Sequence, residues 1–220
     1  MKSFEKLLLE NKGWAKEKVA IDAHYFERLS KTQKPEFLWI GCSDSSVPAN
    51  EITNTEPGEI FVHRNIANLV VHTDFNMLSV LQYSIEILKV KHVIVCGHYG
   101  CGGIKAAMTN EQFGLINKWL RNIKDTYRFH RDEIDQMKTI EEKTDRLAEL
   151  NVEEQVMNLA KTSIVQMAWK EHQRPILHGW IYGLNDGILK PLIRLEHDYD
   201  LDPIYKYDLE YLNKVQVQTS

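Results

Sequence analysis

The stretch Lys91–Lys105, KHVIVCGHYGCGGIK, decides how the chain folds. Val93, Ile94, Val95 and Cys96 make a continuous apolar run, which predicts a buried strand. The glycine-broken segment after it carries His98 and Cys101 before a helical pattern resumes at Ile104. A histidine and a cysteine three residues apart on a strand-to-helix turn can share one metal ion.

Working upstream, Thr73–Asp74 offers an N-cap to FNMLSVLQYSIEIL, a helix whose apolar positions run all round and which is therefore expected to be well buried. Before it, Pro57–Gly58 turns into EIFVHRN, a second strand, and FLWIG after Pro35 reads as a third. CSDSSVPAN at 42–50 is a loop of small polar residues closed by a proline. Strand, helix, strand with nearly all-apolar strands predicts a parallel sheet covered on both faces.

Downstream, 111–171 is long, charged and helix-rich, with a stripe at Leu147, Leu150, Val156 and Leu159 and its central charges forming a solvated face. RPILHGWIY at 174–182 restores strand character, and the segment from 188 can add one more strand. The expected class is α/β: a mainly parallel central sheet flanked by helices, in one domain spanning 1–220. Residues 1–30 form a helical arm in two pieces split at Gly13, and 188–220 form a C-terminal extension. The arm's stripe of Ala15, Val19, Phe26 and Leu29 either packs on its own core or reaches onto a second subunit.

With 220 residues, 43% of them hydrophobic, the chain can bury one sizeable core. A formal net charge of -4, mixed along the sequence, argues against a nucleic-acid surface or a polybasic membrane patch. The three leucines near the N-terminus are too few for a signal peptide or a membrane span, so the expected compartment is the cytoplasm. In a reducing compartment, three cysteines (Cys42, Cys96 and Cys101) argue for metal binding or packing over disulfides.

Ligands in an open parallel sheet collect at the carboxyl ends of the strands. FLWIG ends in Cys42, and HVIVCG ends in His98 followed by Cys101. Cys, His and Cys leave one tetrahedral position for water or a further residue, the catalytic rather than the structural pattern of zinc. Asp44 is near enough in sequence to compete for that position. Cys96 lies inside the apolar run and reads as a packed core thiol. GHYGCGG lacks the GxGxxG order, which leaves little support for a dinucleotide site.

CSDS at 42–45, EPGEIFVHRNIAN at 56–68 and CGHYGCGG at 96–103, with Trp39 and HGW at 178–180, resemble the β-class carbonic anhydrases, especially the bacterial, allosteric type. The resemblance runs from about residue 1 to 187. It implies one zinc ion per subunit held by Cys42, His98 and Cys101. It also implies a homodimer or homotetramer in which N-terminal helices pack across the subunit interface. The reaction implied is the reversible hydration of carbon dioxide to bicarbonate and a proton by zinc-bound hydroxide, oriented by Asp44. By position, Gln33, Phe61, Ile66, Tyr83 and the backbone of Gly102 would line the substrate pocket, partly across the subunit boundary. Trp39, Arg64 and Tyr182 match the non-catalytic bicarbonate site of the allosteric members; the competing reading makes them strand-core aromatics and a buried ion-pair partner.

One position departs from the family pattern. Where the family has an arginine paired with the loop aspartate, this chain has Ser46. An uncompensated Asp44 raises the pKa of a neighbouring metal-bound water, or binds zinc itself and closes the site. The expectation is weak hydration activity or activity restricted to high pH, unless a Lys or Arg from elsewhere replaces the missing partner. Two rivals stand beside the lyase: a catalytically silent zinc protein that binds bicarbonate or serves as a partner subunit, and a zinc hydrolase of carbonyl sulfide or carbon disulfide.

Overall fold

The structure, a computed structural model, describes residues 2–31 and 34–209. Five strands form one sheet in the order β2-β1-β3-β4-β5: β1 Phe37–Cys42, β2 Ile60–Asn65, β3 His92–His98, β4 Ile176–Tyr182 and β5 Leu189–Leu195. The first four run parallel, and β5 closes one edge antiparallel to β4. A mainly parallel sheet and a last strand after residue 188 both agree with the sequence.

Side chains alternate along each strand, so the register sorts the residues into two layers. Leu38, Ile40, Val93, Val95, Leu177 and Ile181 enter the main core together with residues of α4 Phe75–Gln82, α5 Gly102–Ala107, α6 Ile116–Phe129, α7 Arg131–Ile134, α8 Ile140–Ala160 and α9 Ser163–His172. The opposite layer is thin: Trp39, Ile60, Ile94 and Cys96 pack with Ala49 of the short α3 Ala49–Ile52. The apolar strands predict covering on both faces, yet among the described helices only α3 contributes to this second layer. Cys96 is fully buried there, as a core thiol should be.

Two helices differ from expectation. α1 Ser3–Ile21 runs straight through Gly13, and the break falls instead before α2 Tyr25–Lys31. Glycine costs about 1 kcal/mol inside a helix, which a helix of this length absorbs. α1 buries none of its residues; Leu7 is 72% exposed and Ile21 84%, so it does not pack on its own core. α4 is capped by Asp74, whose side chain accepts from the Asn76 and Met77 N–H groups. It then continues into one wide turn, Tyr83–Ile87. Only one side of it is buried: Met77 and Leu81 are inside while Phe75 and Ile87 face out, so the all-round burial predicted for this helix does not occur in the single chain.

Candidate metal centre

β1 and β3 lie side by side, and the chain leaves them in opposite directions, from β1 toward β2 and from β3 toward β4. The crevice beyond their carboxyl ends is where an open α/β sheet binds its ligand. Cys42 ends β1, His98 ends β3, and Cys101 follows on the turn into α5. The three are buried, and their ligand atoms lie within 4.8 Å of one another. Two sulfurs each about 2.3 Å from a tetrahedral zinc are about 3.8 Å apart. The Cys42 and Cys101 sulfurs are 3.8 Å apart.

His98 supplies a second test of fit. Its Nδ1 lies 2.9 Å from the Tyr99 carbonyl oxygen, which only accepts, so the ring proton sits on Nδ1. Nε2 is left with its lone pair, buried and without a hydrogen-bond partner among the described residues. An orphaned buried acceptor beside two thiols is a metal ligand's environment.

Electrostatics favour an anionic sulfur at Cys42 and a protonated one at Cys101. The Cys101 thiol donates to Cys42, which holds Cys42 well below the ordinary thiol range against the opposing effect of burial; His98 and the backbone of Asp44 and Ala67 add to this. The same bond, with burial, pushes Cys101 up, although Ile104 and Gly103 backbone groups pull it down. Burial pushes His98 down, but the Cys42 sulfur, the Tyr99 carbonyl and Asp44 together outweigh it and raise its pKa.

Asp44 sits at the edge of the trio, its Oδ2 3.8 Å from His98 Nε2. Oδ1 accepts the Ser46 N–H at 2.9 Å. That bond leads the influences that lower the Asp44 pKa, ahead of the Ser46 side chain, His98 and Arg64, with burial opposing. Ser46 thus braces the carboxylate without neutralising it. The nearby cation is Arg64, whose Nε donates to the Cys42 carbonyl at 2.8 Å and whose Nη2 donates to the carbonyls of Asp44 and of Val47, the latter at 3.1 Å. The guanidinium clamps the backbone of the loop, and its charge reaches the Asp44 carboxylate only through space.

The cleft over the trio has a volume of about 370 Å³ and a mostly apolar wall. It is lined by Ile66 and Gly102 and also by Gly103, Phe113, Ile116 and Leu120, which the sequence did not single out. Ile116 and Leu120 are one helical turn apart on α6, a pairing visible only once that helix is known to face the site. Phe61 and Tyr83 are not among the lining residues; their rings pair with each other at 5.9 Å between centroids. Gln33 lies outside the described residues. Trp39 and Tyr182 both belong to the thin second layer, where the Trp39 ring packs edge-on to Trp180, while Arg64 directs its Nε and Nη2 donors to the loop carbonyls. Among the described helices none is long and apolar enough to cross a membrane.

Fold and site together define an α/β protein whose buried Cys-His-Cys trio, able to hold a metal ion, sits at the switch point of a parallel sheet. Residues 37–189 match the family model described as carbonic anhydrase. A carbonic anhydrase of Emericella nidulans is 48% identical over 188 residues, covering 86% of this chain and 82% of that protein. One from Saccharomyces cerevisiae is 32% identical, covering 86% and 88%. Among solved structures, one of the tetrameric β-carbonic anhydrases of Sordaria macrospora superposes with a TM-score of 0.85 at 37% identity, covering 88% of this chain and 98% of that one. The Coccomyxa β-carbonic anhydrase in complex with acetazolamide superposes at 0.84 with 37% identity, covering 89% of each chain. The chain belongs to the carbonic anhydrase family, and its fold is that of the β class.

Proposed function

We propose that this chain catalyses the reversible hydration of carbon dioxide, with one zinc ion per subunit held by Cys42, His98 and Cys101. The observation that carries the reading is the buried, unpartnered His98 Nε2 facing two thiols at zinc-compatible separation. Bound there, zinc supplies the Lewis acidity that makes water ionisable near neutral to alkaline pH. The protein's own residues do the rest. Tyr99 fixes the imidazole through Nδ1, and the apolar wall from Ile66 to Leu120 admits a neutral linear molecule and limits competing water. Asp44 Oδ2, on the site side of the loop, accepts a proton or a hydrogen bond from the hydrating water.

A second reading concerns how active the site is. Zinc ligands drawn from His and Asp are about 3.3 Å apart in a tetrahedron. Asp44 Oδ2, at 3.8 Å from Nε2, is within a small side-chain movement of that position, and no described side chain neutralises its carboxylate by a direct bond. We infer a site that interconverts between open and Asp44-closed forms, with hydration favoured at high pH. Control by bicarbonate at Trp39, Arg64 and Tyr182 would act on a guanidinium whose Nε and Nη2 hold the carbonyls of Cys42, Asp44 and Val47, which couples that site to the Cys42–Asp44 loop.

The unburied α1, the thin second layer and the exposed Tyr83 support assembly into a dimer or tetramer in which a neighbouring copy completes the cleft. Stopped-flow hydration of carbon dioxide by the zinc-loaded chain, compared with His98→Ala, tests the function. Measurable turnover lost in the variant supports it, and equal rates overturn it. Light scattering during gel filtration tests the assembly, which a monomer would exclude.

A further inference from the structure

Helix α8 presents a row of amides to the segment that follows β2. Asn151 and Gln155 are 1% and 2% exposed, one helical turn apart, and Asn158 follows on the same face. Asn151 Nδ2 donates to the Ala67 carbonyl at 3.1 Å. Gln155 Oε1 accepts the Val70 N–H at 2.8 Å, and Asn158 Nδ2 donates to the Val70 carbonyl at 3.2 Å. The amides also bond one another, Gln155 Nε2 to Asn151 Oδ1 at 3.1 Å and Asn158 Nδ2 to Gln155 Oε1 at 3.3 Å. From other directions Trp119 Nε1 donates to the Ile66 carbonyl at 2.9 Å, and Asn65 bonds both backbone groups of Leu69.

The turn held this way has a backbone it would not keep unaided. Ala67 and Asn68 have φ of 62° and 50°, the left-handed region that a residue with a Cβ occupies at a cost. Such a conformation persists where its surroundings over-determine it. The turn also abuts the metal centre. A Cβ placed on Gly103 would lie 2.9 Å from Ile66 Cγ2 and 3.2 Å from Ala67 Cβ, and Ile66 lines the cleft.

We propose that Asn151 and Gln155 are positioning residues for the metal centre, holding the Ile66–Asn68 turn against Cys42 and the Cys101–Gly103 segment. They act through the turn and touch neither metal nor substrate. Neutral amides suit the task because each supplies donor and acceptor without placing a charge in the core. The part concerning turnover rests on the hydration reaction proposed above; the part concerning zinc retention rests only on the zinc site proposed with it.

The test uses the full-length zinc-loaded chain and its variants Asn151→Leu, Gln155→Met and Ala67→Gly, with Val165→Ala as a core control from α9. Zinc release to a chelator, kcat/KM for carbon dioxide and Tm are measured well below each Tm. Removing the outer support of a metal site costs about 10-fold to 100-fold in affinity or activity. Release at least about 10-fold faster is therefore expected in Asn151→Leu and Gln155→Met, with a matching fall in kcat/KM, while Val165→Ala loses Tm but keeps both. Ala67→Gly exchanges the left-handed penalty for glycine's wider backbone freedom and gives up the methyl that faces Gly103, so it keeps its Tm and releases zinc faster, which preserves the test if the ladder variants fold poorly. Release rates in all three variants equal to the control's would overturn the proposal. Faster release in a chain that hydrates no carbon dioxide would support the ladder and overturn the function.

Discussion

Replacing Ser46 with arginine puts a cation beside a carboxylate that has none bonded to it. Ser46 is exposed, so a long side chain has room, and its backbone N–H keeps the 2.9 Å bond to Asp44 Oδ1 whatever the side chain. Two unit charges about 4 Å apart attract by about 4 kcal/mol at an effective dielectric constant near 20. The Asp44 side chain is 32% exposed, and solvent screening of such a pair brings the figure to about 1 to 1.5 kcal/mol. That is roughly one pK unit, or tenfold in an equilibrium. Pairing Asp44 with the introduced guanidinium withdraws negative charge from the water-activating site and disfavours the closed form. Stopped-flow hydration across pH should then show the rate profile of Ser46→Arg moved about one unit toward lower pH, with up to about tenfold more turnover near neutrality. Ser46→Gln, long but neutral, should leave the profile in place. Superimposable profiles for wild type and Ser46→Arg would show that the charge on Asp44 does not govern the site.

Metal analysis should separate the cysteines by role: Cys101→Ala loses zinc, whereas Cys96→Ala, fully buried on the far layer, keeps one zinc per chain and loses about 1 kcal/mol of stability to the small cavity. Burial, then His92 and Arg194, lower the His178 pKa to about 4, so the unfolded chain, with a histidine near 6.5, takes up the proton first as pH falls. Tm should therefore decline from about pH 6.5 toward pH 4, less steeply in His178→Gln, and a pH-independent difference between the two would contradict this. A methyl group at Gly97 would sit 2.6 Å from Val152 Cγ2 and 3.2 Å from Ile181 Cδ1, so Gly97→Ala should lose roughly 1 to 3 kcal/mol in denaturant titration.

Several features are legible in the sequence because one-dimensional rules govern them. β1 and β3 are apolar on both faces, and continuous apolar runs ending in glycine mark buried parallel strands. The meeting of Cys42, His98 and Cys101 follows, since Cys42 and His98 end adjacent strands and Cys101 opens the next helix. Other features depend on three-dimensional neighbours. Gly13 carries a helix-breaking signal that α1 overrides, and α4 reads as fully apolar although one of its sides is uncovered in the single chain. Asn151, Gln155 and Asn158 resemble polar surface positions until the Ala67–Val70 backbone is placed against them. Arg64 looks like an anion binder, and only the loop geometry shows its Nε and Nη2 donors committed to the carbonyls of Cys42, Asp44 and Val47.

Activity of the kind proposed depends on Cys42, His98 and Cys101 holding one catalytic zinc ion. Zinc-edge X-ray absorption of the purified chain at near-neutral and alkaline pH reads that coordination without reference to turnover. Two sulfurs at about 2.3 Å and an imidazole nitrogen at about 2.0 to 2.1 Å are expected at both pH values, with only the fourth, oxygen ligand changing. A chain that binds no zinc, or binds it through fewer than two sulfurs, would contradict the assignment.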